Sequence, residues 1–112
     1  MEPASPPTII YVDVDDTLVR SFGSKRIPMT AMIERVRELH RRGAHLYCWS
    51  TGGAAYAREM ATELGLEACF LAFLPKPHLL IDDMSLKDWR LTEVHPSVCA
   101  SMELEDLLRR RP

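Results

Sequence analysis

A chain of 112 residues has room for one domain, with a core that buries roughly two thirds of the unfolded surface. Its 46% hydrophobic and 27% charged residues and net charge of −2 are ordinary for a globular protein and make no global demand for nucleic acid, so any phosphate site must be local. No apolar run approaches the ~20 residues of a membrane span, "MEPASPPT" lacks the basic start and apolar stretch of a signal peptide, and three cysteines, Cys48, Cys69 and Cys99, odd in number and without paired close spacing, argue against a disulfide framework and a zinc site and suit a reducing cytoplasm.

Residues 1–7 read as a loose tail, and 8–112 as a single domain. "TIIYVDV" (8–14) is a β-branched run that ends in acid, the pattern of a buried strand. "LVRSFGSKRI" leaves space for a short turn and flap. In "TAMIERVRELHRRG", Ile33, Val36, Leu39 and His40 fall near one helical face, with Glu34, Arg35, Arg37, Glu38 and Arg41 largely on the other. Thr30 is the expected cap and Gly43 the stop. "AHLYCWS" (44–50) is a second strand, 53–65 a second helix closed by Gly65, and "EACFLAF" a third strand. "HLLIDD" (78–83) repeats the opening theme of an apolar strand ending in paired carboxylates. "LTEVHP" reads as a weak edge strand and "SMELEDLLRRR" as a last helix. Strands alternating with helices predict right-handed crossovers and a mostly parallel sheet in a three-layer α/β/α, Rossmann-like domain.

In such sheets ligands bind beyond the carboxyl ends of the strands. The first strand brings Asp13 and Asp15 there, the second Ser50 and Thr51, the loop after the third Lys76, and the predicted fourth strand Asp82 and Asp83. Four carboxylates against one lysine call for another cation, and all-oxygen ligands suit Mg2+. "STGGA" opens a helix after a strand, so Gly52 and Gly53 allow close backbone approach, and the Ser50 hydroxyl with the helix-start amides favours an anion. Lys76, fenced by Pro75 and Pro77, adds a fixed positive charge. Metal, anion cradle and carboxylate together suggest phosphoryl transfer.

These features resemble the four ordered signatures of the haloacid dehalogenase (HAD) superfamily, mostly magnesium-dependent phosphatases: "DVDDT" (13–17) after an apolar strand, Ser50, Lys76, and "IDD" ending in Asp82 and Asp83. They span residues 9–83, and residues 84–112 match only loosely. The resemblance implies that Asp13 attacks phosphorus to form an aspartyl-phosphate and also binds Mg2+. It implies that Asp15 serves as acid and base and lends its backbone carbonyl to the metal, while Thr17 braces the turn. Ser50 and Lys76 would hold phosphoryl oxygens, and Asp82, with Asp83 adjacent, would complete the metal shell. HAD relatives often carry a cap domain, for which neither gap here has room. The expected site is therefore open and admits a phosphorylated small molecule or macromolecule, unless a second subunit of a homo-oligomer supplies the lid.

Simpler roles stand beside these. Ser50 and Thr51 could cap a helix, Gly52–Gly53 could be a plain turn, and Arg20, Lys25 and Arg26 could be solvated flap charges. His40, His45, His78 and His95 lack a ligand geometry, Trp49 and Trp89 read as packing residues, and Arg109 to Arg111 complement a helix dipole more readily than they bind nucleic acid. A nucleic-acid-end phosphatase and a non-catalytic phosphate- or Mg2+-binding scaffold remain as alternatives. A receiver domain is disfavoured because the chain lacks the phosphorylatable Asp that such a domain carries after its third strand.

Overall fold

The computed structural model describes residues 6–109, so most of the predicted tail and the last two arginines of 109–111 lie outside the described residues. Three parallel strands form the sheet in the order β1 (Ile9–Asp13), β4 (His45–Ser50), β5 (Phe70–Pro75). Between β1 and β4 come an antiparallel hairpin, β2 (Val19–Phe22) and β3 (Lys25–Pro28), and helix α1 (Thr30–Arg41). Helix α2 (Ala54–Glu63) links β4 to β5, and α3 (Pro96–Ser101) and α4 (Leu104–Arg109) close the chain. None of these helices is long and apolar enough to cross a membrane.

The sheet is covered unevenly. Both crossovers step in the same direction across it, and right-handed connections then place α1 and α2 on one face. Alternation along the strands agrees. Val12, Leu46, Cys48 and Ser50 are buried with Met32, Ile33, Val36 and Leu39 of α1 and Ala57, Met60 and Ala61 of α2. The opposite positions, Ile9, Tyr11, Tyr47 and Trp49, are exposed or half-exposed. Tyr11 meets Trp49 edge-on at 4.9 Å and Tyr47 at 5.2 Å. Among the described residues the domain is thus an α/β fold with a parallel sheet whose predicted third layer is not formed.

Other differences have local causes. Met29, not Thr30, occupies the N-cap of α1, while Gly43, at φ 86°, ends it as expected. Arg35, placed by periodicity on the polar face, is buried. Its guanidinium donates to the carbonyl oxygens of Cys99, at 3.1 Å, and Met102, tying α3 to α1. "LTEVHP" forms no strand; Pro96 starts α3, and Nδ1 of His95 accepts the Ser97 amide as its cap. The last helix is broken at Met102.

The largest correction concerns 78–83, which forms no strand and is exposed throughout. Lys76 is held at the carboxyl edge of the sheet because its N–H donates to the Ser50 carbonyl at 3.0 Å. A parallel strand must restart from the opposite edge, roughly 16 Å away for a six-residue strand. Only Pro77 separates Lys76 from His78, a reach of about 7 Å. One chain therefore cannot hold Lys76 at the site and begin a parallel strand two residues later.

Candidate functional site

The loop after β1 is a tight turn anchored from below. Leu18 N–H donates to the Val14 carbonyl at 2.8 Å and Asp16 N–H to the Val19 carbonyl at 2.7 Å, while Val14 and Leu18 are fully buried. Asp16 adopts a left-handed conformation, φ 61°, which aspartate tolerates better than most residues. Its side chain is exposed, whereas Asp13 and Asp15 are half-buried. The Asp16 side chain is thus set apart from those of Asp13 and Asp15 by this turn.

Asp13 is held from both oxygens. Lys76 Nζ lies 3.1 Å from Oδ1, and Thr17 Oγ1 donates to Oδ2 at 3.3 Å. Both members of the ion pair keep 31% side-chain exposure, so water screens it. The Lys76 ammonium also sits 5.8 Å from the Trp49 ring centroid, a cation–π placement that fixes it further. The predicted proximity of Lys76 to Asp13 is therefore present.

The Ser50 side chain is buried, and its Oγ accepts the Gly52 N–H at 2.9 Å, leaving its own proton free to donate. Its carbonyl accepts from both Gly53 and Lys76, joining the ends of β4 and β5 to the start of α2. Gly52 and Gly53 thus turn their amides onto Ser50 instead of outward, so the expected glycine cradle is not built from these two groups. Gly53 is needed for its φ of 104°. Gly52 is needed for space, since a Cβ there would lie 2.9 Å from Tyr56 Cδ2. Thr51 is exposed.

Tyr56 and Arg26 form an arrangement that the residue pattern did not predict. Tyr56 O–H donates to Asp15 Oδ1 at 2.7 Å, and Arg26 Nε donates to the same phenol oxygen at 2.9 Å. The Arg26 guanidinium lies 5.2 Å from the Tyr56 ring centroid. Burial, then the Asp15 hydrogen bond, push the Tyr56 phenol above its ordinary value while Arg26 pulls it down, so Tyr56 remains a donor at neutral pH. The available signal was its position three residues after Gly53, one helical turn into α2.

Asp82 and Asp83 are not brought to this edge as ligands. Both are exposed, and Asp82 Oδ1 accepts the Met84 amide at 2.9 Å in a local turn. No group of three or more His, Cys, Asp or Glu side chains converges to hold a metal among the described residues. Asp13 and Asp15 offer oxygen donors that Mg2+ accepts, but octahedral Mg2+ needs more of them than two engaged carboxylates supply. One chain's residues therefore fit the ion incompletely. Two shallow concavities, of about 230 and 310 Å³, open beside Ala44 and Gly43 near the amino end of β4 and contain none of the candidate residues.

Fold and site together define a small α/β domain with a polar cluster of Asp13, Asp15, Ser50, Tyr56 and Lys76 at the carboxyl edge of a parallel sheet. No protein-family profile and no curated protein matches the chain. It is similar to a crystal structure of a structural-genomics target from Vibrio cholerae, with 26% identity over 92% of this chain and 95% of that one and a TM-score of 0.56. The name of that protein states no activity.

Proposed function

We propose that the protein is a small, capless, HAD-like phosphohydrolase that cleaves a phosphate monoester through an aspartyl-phosphate at Asp13. The observation that carries this reading is the pairing of Asp13 with Lys76 at 3.1 Å beside a second carboxylate, Asp15, already oriented by Tyr56. In the first step an Asp13 carboxylate oxygen attacks phosphorus, and the bond from phosphorus to the ester oxygen breaks. Asp15 Oδ2, the oxygen not engaged by Tyr56, carries the proton that the leaving alkoxide takes up. Water then attacks the aspartyl-phosphate, gives its proton to Asp15, and releases inorganic phosphate and the Asp13 carboxylate. Lys76 and the free Ser50 proton stabilise the charge on the phosphoryl oxygens, and Thr17 keeps Asp13 from rotating.

Mg2+ belongs to this reading: Asp13 and the Asp15 backbone carbonyl would be the residues of one chain to hold it, and it would offset the charge of the phosphoryl oxygens. Phosphorylated macromolecules suit an edge beside the β2–β3 hairpin, where Arg20 and Lys25 are exposed. Three free thiols suit a reducing, cytoplasmic setting. Hydrolysis of an aryl phosphate with and without Mg2+, by the wild type and Asp13→Asn, tests the assignment. Turnover is expected only for the wild type with metal; metal-independent turnover that survives the substitution would overturn it.

A further inference from the structure

The β2–β3 hairpin turns one arginine toward the site and two other basic residues away from it. In its antiparallel register Val19 stands opposite Pro28 and Ser21 opposite Arg26, whereas Arg20 pairs with Ile27 and Phe22 with Lys25. Residues directly opposite share a face of a sheet, and so do alternate positions along each strand. Val19 is fully buried in the core, so the face it shares with Ser21 and Arg26 is the one turned to the domain; Phe22, 72% exposed, marks the other. Arg26 thereby reaches the Tyr56 phenol with Nε at 2.9 Å, and the same phenol donates to Asp15 Oδ1 at 2.7 Å. Two hydrogen bonds, about 6 Å at most, separate the guanidinium from the Asp15 carboxylate.

Only one donor of that guanidinium is used. Among the described residues the terminal nitrogens of Arg26 make no hydrogen bond, and no ion pair takes them. The Nε bond and the contact with the Tyr56 ring, 5.2 Å from its centroid, hold the group in place. Nη1 and Nη2 then offer a parallel pair of N–H donors, the geometry that matches two oxygens of a carboxylate or a phosphate. A net charge of −2 gives the chain no general attraction for anions, so the fork is a local one. In the proposed reaction Lys76 and Ser50 take the phosphoryl oxygens, while Asp15 protonates the leaving oxygen, so the leaving group lies on the Arg26 side. From these relations we infer that Arg26 is a specificity-determining residue whose free fork binds a second anionic group on the leaving-group part of the substrate. The inference rests on the phosphohydrolase reading and narrows its substrate to a phosphate monoester with a carboxylate or further phosphate within roughly 10 Å of the ester oxygen, the span of the Asp15–Tyr56–Arg26 chain with a hydrogen bond at each end. Arg20 and Lys25, on the other face, do not share this position.

Aryl phosphates built on one ring test it: 4-carboxyphenyl phosphate, its neutral counterpart 4-carbamoylphenyl phosphate, and 4-phosphonophenyl phosphate. With Mg2+ present the wild type is expected to favour the carboxylate over the amide about tenfold in kcat/KM, and the phosphonate shows which of the two anions the fork prefers. Arg26→Met is expected to slow all three, because Tyr56 loses a partner, and also to abolish the charge preference, whereas Lys25→Met keeps it. Arg26→Lys retains a charge at the hairpin without the fork, and its preference is expected to fall to about threefold. A wild type indifferent to the charge, or Arg26 variants that are slower on every ester with the preference unaltered, would overturn the inference and make Arg26 an anchor of the hairpin only. Calorimetry on inactive Asp13→Asn supplies a readout free of turnover: the carboxylate is expected to bind about tenfold more tightly than the amide, and no more tightly in Asp13→Asn/Arg26→Met. Turnover with no charge preference would overturn the second-anion site and leave the phosphohydrolase reading standing. A binding preference that Arg26→Met removes, with no ester hydrolysed by the wild type, would do the reverse.

Discussion

The phenol of Tyr56 donates to Asp15 Oδ1 at 2.7 Å while accepting from Arg26 at 2.9 Å, so the start of α2, the loop after β1 and the β2–β3 hairpin meet at one oxygen. The contact engages Asp15 Oδ1 and leaves Oδ2 as the oxygen to which the proposed mechanism gives the proton. It also holds the hairpin against the site through Arg26.

Tyr56→Phe keeps the ring and removes only the donor. Under the proposed mechanism the expected result is a kcat lowered roughly tenfold with KM nearly unchanged, since the lost interaction would position a proton-transfer group rather than substrate. The cost in stability is expected to stay near ~1 kcal/mol because the site is half-exposed. A fall in melting temperature with unaltered kcat would make Tyr56 a packing residue only. Arg26→Ala is expected to loosen the hairpin, read as faster amide exchange in β2 and β3.

Gly52→Ala tests space. The added methyl would lie 2.9 Å from Tyr56 Cδ2 and 3.3 Å from Ser50 Oγ, closer than side-chain carbons normally approach, so the Tyr56 ring must turn away from Asp15. A destabilisation of about 1–3 kcal/mol is expected for such overpacking, together with the kinetic defect of Tyr56→Phe. In the double variant Gly52→Ala/Tyr56→Phe the kinetic losses are expected not to add, because both act on the same hydrogen bond.

Cys48 predicts the alkaline limit of the fold. Burial, with the nearby Asp13 charge, pushes its thiol up to about 12 from an ordinary 9.0. The folded value is raised, so the unfolded chain loses the proton first. The contribution is complete below about pH 9 and is lost as pH rises towards about 12. Melting temperature is therefore expected to fall across that window, and Cys48→Ala to flatten the fall. At neutral pH, alkylation is expected at half-exposed Cys69 before buried Cys48 or Cys99.

Much of the arrangement was legible because it is local. A β-branched run such as 8–14, a 3.6-residue period with a glycine stop such as 30–43, and a strand followed by "STGG" depend on near neighbours, and each became an element within a few residues of its predicted limits. The gathering of Asp13, Asp15, Ser50 and Lys76 at one edge follows equally from strand ends in a parallel sheet.

Tertiary geometry decided the rest. Whether "HLLIDD" is a strand depends on the distance from where Lys76 is tied to where a parallel strand must begin, and that distance exceeds the reach of one intervening proline. Arg35 is buried because two carbonyls of a distant helix await its guanidinium, and Tyr56 is a site residue because Gly52 leaves room for its ring. Side-chain type and period are properties of a segment and can be read along the chain. Span, partner and clearance are relations between segments, and only the folded arrangement sets them.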